Sequence, residues 1–119
     1  MMTATREDYQ VERHRLGLAV ALGDAAAQCA LGAMHHLGEG GPVDFAEARR
    51  LLGLAAAQGD ADAQCNLDAM HHLGEGGQVD FAEARRLFGL AAAQGIANAQ
   101  YNLGVMHRDG QGGPVDFAE

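Results

Sequence analysis

The sequence predicts an all-α solenoid of antiparallel helix pairs, and three observations carry that expectation. The segment Ala27-Gln28-Cys29-Ala30-Leu31-Gly32-Ala33-Met34-His35-His36-Leu37-Gly38 returns from Ala63 to Gly74 and, more loosely, from Ala99 to Gly110. The starting positions 27, 63 and 99 are spaced by 36 residues each time. Periods of about 20–50 residues mark arrays in which one supersecondary unit cannot bury its apolar face alone. Within each copy the apolar residues fall at helical spacing, and a glycine-rich stretch follows.

Composition fits such an array. The 119 residues make one small domain, 48% apolar but only 5% aromatic, with 17 glycines. Such a chain builds its core by close approach of small-faced helices. A formal net charge of −8 argues against nucleic acid, whose phosphates draw their affinity from Lys and Arg. It argues equally against an anionic membrane surface. The two cysteines, Cys29 and Cys65, occupy equivalent positions on successive units. Packed helices lie about 8–10 Å apart, beyond the roughly 7 Å that a disulfide spans, so free thiols are expected. The start of the chain shows no apolar run of the signal-peptide kind, and no stretch is long and apolar enough for a membrane span. The expected location is cytoplasmic.

Taken in order, residues 8–23 read as one helix. Shifted by 36, Asp8 falls on Asp44, Leu16 on Leu52 and Gly23 on Gly59, so residues 1–23 comprise a loose tail and the second helix of a partial repeat. Repeat unit 1 spans 24–59. Asp24 caps a first helix with the stripe Ala27, Leu31, Met34 and His35, and Gly38 stands where a helix end wants a left-handed residue. After the turn, Asp44 and Glu47 form a capping-box pair for a second helix, which buries Ala48, Leu51, Leu52, Ala55 and Ala56. Unit 2 spans 60–95 and differs from unit 1 only at Asp62, Asn66, Asp68, Gln78 and Phe88. A truncated unit 3 covers 96–119, starts at Ile96 without a capping aspartate, and ends in the first turn of a second helix at Asp116–Glu119. The stripe Ala99, Leu103 and Met106 is expected to lack a partner. That predicts either a fragment of a longer array or self-association through this stripe.

These residues assemble the pattern Leu31-Gly32-x-Met34, Gly38-x-Gly40, Asp44, Ala48-x-x-Leu51-Leu52-x-x-Ala55-Ala56-x-x-Gly59. It resembles the Sel-one-like repeat, a relative of the tetratricopeptide helix–turn–helix repeat, from Asp8 to Glu119. The resemblance implies a right-handed superhelix whose members work as adaptors and scaffolds in protein complexes without catalysis of their own. It also implies a tyrosine-like packing slot for His35, His71 and His107. The family has aromatic residues where Leu51 and Leu52 stand. Asp68 departs further, replacing the glycine found at Gly32 and Gly104. A carboxylate there must cost stability or find a partner in His71 or His72.

Other chemistry is weakly supported. Adjacent histidines, as in His35-His36 and His71-His72, point about 100° apart and do not chelate by themselves, and the H-E-x-x-H spacing is absent. A zinc would need His36, His72 and further ligands between repeats. Cys29 and Cys65 lack an activating base, and the third equivalent is Tyr101. The glycine-rich stretches follow helices and lack the lysine of a phosphate loop, so they read as turns. Glu47 and Glu83, three residues before Arg50 and Arg86, suggest a solvated, ion-paired face for Arg49-Arg50 and Arg85-Arg86.

The expected function is therefore a non-catalytic protein–protein interaction module, with no cofactor and no metal. By resemblance, its concave face is lined by the stripe next to the buried one. That stripe comprises Ala26, Cys29, Ala33 and His36, then Asp62, Cys65, Ala69 and His72, then Asn98, Tyr101, Val105 and Arg108. A peptide or helical segment of another protein would lie there. The alternatives are a structural spacer within a longer array and an inter-repeat His/Cys metal site.

Overall fold

A computed structural model of the chain describes residues 3–113, the side chain of His107 excepted. The expected helical turn at Asp116–Glu119 and the slot for His107 lie outside these residues. The described residues form six helices in succession: α1 (Arg6–Ala21), α2 (Ala25–Leu37), α3 (Phe45–Ala57), α4 (Ala61–Leu73), α5 (Phe81–Ala93) and α6 (Ala97–Asp109). Each packs on the next, and α2 also meets α4 directly. The result is an elongated right-handed solenoid of 48 × 31 × 23 Å. First helices (α2, α4, α6) form one layer and second helices (α1, α3, α5) the other.

Local signals set the helix ends. Asp24 and Asp60 accept hydrogen bonds from the N–H groups of Ala27 and Ala63 at 2.9 Å. Asp44 and Asp80 do the same for Glu47 and Glu83 at 3.0 Å. Ile96 gives α6 no side-chain cap, as its apolar side chain dictates. The capping box is only half formed, however. The Asp44 N–H donates instead to the His35 carbonyl across the turn at 2.9 Å, which frees Glu47 to pair with Arg50. A full box occurs at α1, where Thr5 and Asp8 exchange bonds. The helix therefore starts at Arg6, two residues before the expected position, and Asp8 lies in its first turn.

Helix α3 presses close to α2 at a glycine. A Cβ on Gly32 would stand 2.9 Å from Leu52 Cγ, so glycine is what allows the α2–α3 approach. Around this contact Ala48, Leu52, Ala55 and Ala63 are wholly or almost wholly buried, with Met70 and Leu87 closing the cluster. The stripe of α6 packs on the preceding α5 through Ala99 and Met106, leaving Leu103 half-buried and open space over Gly104 among the described residues; the second helix expected to follow lies outside them. On α1, Glu12 and Arg15 stand where α3 buries Ala48 and Leu51, and they pair with each other on the outside.

Between repeats the decisive group is an arginine. Arg13 donates from Nε to the Glu39 carbonyl at 3.1 Å and from Nη2 to the Met34 carbonyl at 3.3 Å. One repeat later, Arg49 donates from Nη2 to the carbonyls of Met70 at 3.2 Å and Gln78 at 3.3 Å. Each guanidinium thus ties one second helix to the end of the next first helix and its turn. Gly41 makes room for this bond, because a Cβ there would meet Arg13 Nη1 at 2.5 Å. Gly40, with φ of +78°, brings the turn against the backbone of Tyr9. Arg50 and Arg86 behave differently: they pair with Glu47 and Glu83 on an exposed face.

Asp68 occupies the glycine position of α4 and is fully buried, with neither carboxylate oxygen hydrogen-bonded. Neither His71 nor His72 reaches it. Burial pushes its carboxyl from 3.8 up to about 9. The folded chain therefore holds a proton that the unfolded chain releases, and the contribution of this position is intact below about pH 4 and lost as pH climbs toward 9. Asp68→Gly is expected to stabilise the protein by about 1–2 kcal/mol at pH 7, after the roughly 1 kcal/mol that glycine costs inside a helix. Urea melts from pH 5 to pH 9 should show that gap widening with pH. In the same assay Arg49→Met is expected to cost about 1–3 kcal/mol, against less than about 1 kcal/mol for Arg50→Ala.

Candidate interaction surface

Two clefts open between successive first helices. The first, about 300 Å³, lies between α2 and α4: Ala33 and Leu37 face Ala69 and Leu73, with buried Leu52 and Met70 beneath. The second, about 330 Å³, lies between α4 and α6: Ala69 and Leu73 face Val105, with buried Phe88 and Met106 beneath. Ala69 and Leu73 are thus a wall shared by both. Leu37 and Leu73 are 63% and 64% exposed, large apolar side chains left at the same place in two repeats.

One polar link sits beside each cleft. His36 Nε2 meets Glu75 Oε1 at 3.0 Å, and its ring lies against Phe45 with centroids 5.2 Å apart. His72 Nε2 meets Gln111 Oε1 at 3.4 Å and lies against Phe81 at 5.0 Å. Each link joins a first helix to the turn of the next repeat. His35 and His71 turn inward, and each has a buried Nδ1 without a hydrogen-bond partner. Desolvation, helped by the charge of a nearby arginine, lowers the pKa of both. That favours the neutral ring.

The expected stripe divides along its length. Ala33, His36, Ala69, His72 and Val105 line the clefts. Cys29 and Cys65 pack against clusters built mainly from the second helix of their own repeat and the first helix of the next. Ala26, Asp62 and Asn98 are exposed near the starts of their helices, Tyr101 is 73% exposed, and Arg108 pairs with Asp109 at 3.2 Å. Leu37, Leu73, Asn66, Asn102, Glu75 and Gln111 join the lining without having been singled out in the sequence. The signal for Leu37, Leu73 and Glu75 was the repetition of Leu-Gly-Glu after the paired histidines, a strongly apolar residue placed at an exposed helix end.

Both thiols are free. Desolvation raises the Cys29 pKa to about 11, with the carboxylates of Asp60 and Asp62 adding to the effect, and raises that of Cys65 by the same main cause. Such thiols are poor nucleophiles. Among the described residues, no three His, Cys, Asp or Glu side chains cluster as a metal would need, and no helix is long and apolar enough to cross a membrane.

Stacked helix pairs with a 36-residue period, tied through arginine and a glycine turn, define a helical repeat protein of the solenoid class. The chain belongs to the Sel1 repeat family, whose profile matches residues 25–60, 61–96 and 97–119. Among solved structures it is similar to a protective antigen of uropathogenic Escherichia coli displaying an SLR fold. There the identity is 35% and the TM-score 0.83, over 87% of this chain and 22% of that one. It is also similar to a Sel1 repeat protein from Oxalobacter formigenes, at 29% identity and a TM-score of 0.85, over 93% of this chain and 45% of that one. The chain therefore spans less than half the length of either protein. No curated protein sequence matches it. Sel1 repeats generally serve as non-catalytic scaffolds for protein–protein interaction.

The Cys29 environment makes a chemical prediction. At pH 7–8, alkylation of Cys29 by iodoacetamide is expected to run on the order of a hundredfold slower than that of an unperturbed thiol, the ratio of their thiolate populations. Mass spectrometry of timed reactions checks this, and denatured protein should lose the protection.

Proposed function

We propose that the protein is a non-catalytic interaction module that holds a segment of another protein in the concave groove formed by its first helices. The observation that carries this reading is the pair of adjoining apolar clefts, with Leu37 and Leu73 left exposed beside them. Contiguous exposed apolar surface with a polar rim marks a binding site more often than an incidental face. The raised thiol pKa values of Cys29 and Cys65 weigh against a nucleophilic role.

The test compares the native chain with Ala69→Arg, which places a long cation in the wall shared by both clefts, and with Leu54→Glu on an exposed part of α3. All three should give the same helical circular dichroism. Chemical cross-linking in source cells, followed by mass spectrometry, is expected to show partners lost in Ala69→Arg and kept in Leu54→Glu. Partners kept by Ala69→Arg would move the working surface elsewhere, and no partner for any chain would favour a spacer segment.

A further inference from the structure

The clefts specify more than an apolar ligand. All eight cationic side chains of the sequence are arginines. Seven of them lie on α1, α3 and α5; Arg108 alone lies on a first helix, exposed and paired with Asp109. No arginine lines either cleft, whereas Glu75 lines the first and Asp109 the second. The net charge of −8 adds to the same field.

Asn66 and Asn102 occupy equivalent places in the two clefts. A side-chain amide offers both donors and an acceptor, which matches one peptide unit of an extended chain. A helix has already satisfied its backbone internally and would leave those amides without such a match. The spacing of the clefts adds a length. Neighbouring helices in a packed layer lie about 8–10 Å apart. An extended chain of the polyproline II form advances about 3.1 Å per residue with three residues per turn, so every third side chain lies on one face. Side chains three residues apart therefore reach successive clefts.

Resting on the groove reading above, we infer that the occupant is an extended, cationic segment of a partner protein. It carries two large aliphatic side chains three residues apart, one for each cleft, with lysine or arginine beside them for Glu75 and Asp109.

The probe is a fluorescein-labelled nonapeptide with leucines at its fourth and seventh positions and lysines at its second, fifth and eighth. One comparator replaces the lysines by glutamates, and another moves the second leucine next to the first. Fluorescence polarisation at low salt is expected to show the lysine peptide binding at least tenfold tighter than either comparator. The advantage over the glutamate peptide should shrink as salt rises. The double variant Glu75→Gln, Asp109→Asn should remove most of that advantage, and Ala69→Arg should abolish binding while leaving the circular dichroism unchanged. Equal or better binding of the glutamate peptide, indifference to leucine spacing, or no binding of the lysine peptide at millimolar concentration would each overturn the ligand chemistry. Loss of comparator binding in Ala69→Arg would still leave the groove standing. Binding of the lysine peptide that survives Ala69→Arg would overturn the groove itself.

Discussion

The structure depends on an arginine that reaches out of its own repeat. Arg49 lies on a second helix, yet its guanidinium donates to the last-turn carbonyl of the next first helix and to the turn beyond it. The Met70 carbonyl already accepts the backbone N–H groups of Gly74 and Glu75, so the guanidinium adds a further donor and meets the partial negative charge of the helix end. A planar fork of donors suits two carbonyls better than an ammonium would. Glycine in the turn is the other half of the device, since Gly41 leaves the space that Arg13 occupies. Repeats fastened in this way stack at one offset.

That offset creates the surface proposed to bind. Once one turn is held against the preceding second helix, Glu75 stands beside His36 and Gln111 beside His72. The same translation sets α2, α4 and α6 apart by enough to leave a cleft where alanines line the walls. Larger side chains at Ala33 and Ala69 would close those clefts. The small residues that first suggest a weak core therefore also keep the groove open.

Asp68 shows how far near-identical repeats can diverge in energy. Gly32 lets α2 and α3 meet, while one repeat on the same place holds a buried carboxyl that finds no partner. Phe88 replaces Leu52 in the same repeat, so both sides of that contact have changed. A carboxyl kept neutral by burial costs less there than a charge, but its lost hydration is not repaid by a bond.

Much of the architecture was legible in the residues because it rests on short-range rules. The period, the aspartate caps, the left-handed glycines and the buried stripes all follow from residues within a few positions of one another, and the missing cap at Ile96 was visible for the same reason. Where two local options competed, the tertiary structure chose. The amide of Asp44 went to His35 across the turn, and Thr5 moved the start of α1. A stripe drawn along one helix could find Ala33, His36, Ala69, His72 and Val105, but not the leucines and turn residues that face them. Arg49 reaches 21 residues along the chain and His36 reaches 39. The amino-acid sequence by itself determined the repeat and the helices. Tertiary stacking alone decided which arginine fastens the repeats, that Asp68 stands without a partner, and where two helices leave a cleft, because each is a distance between units that no local rule sets.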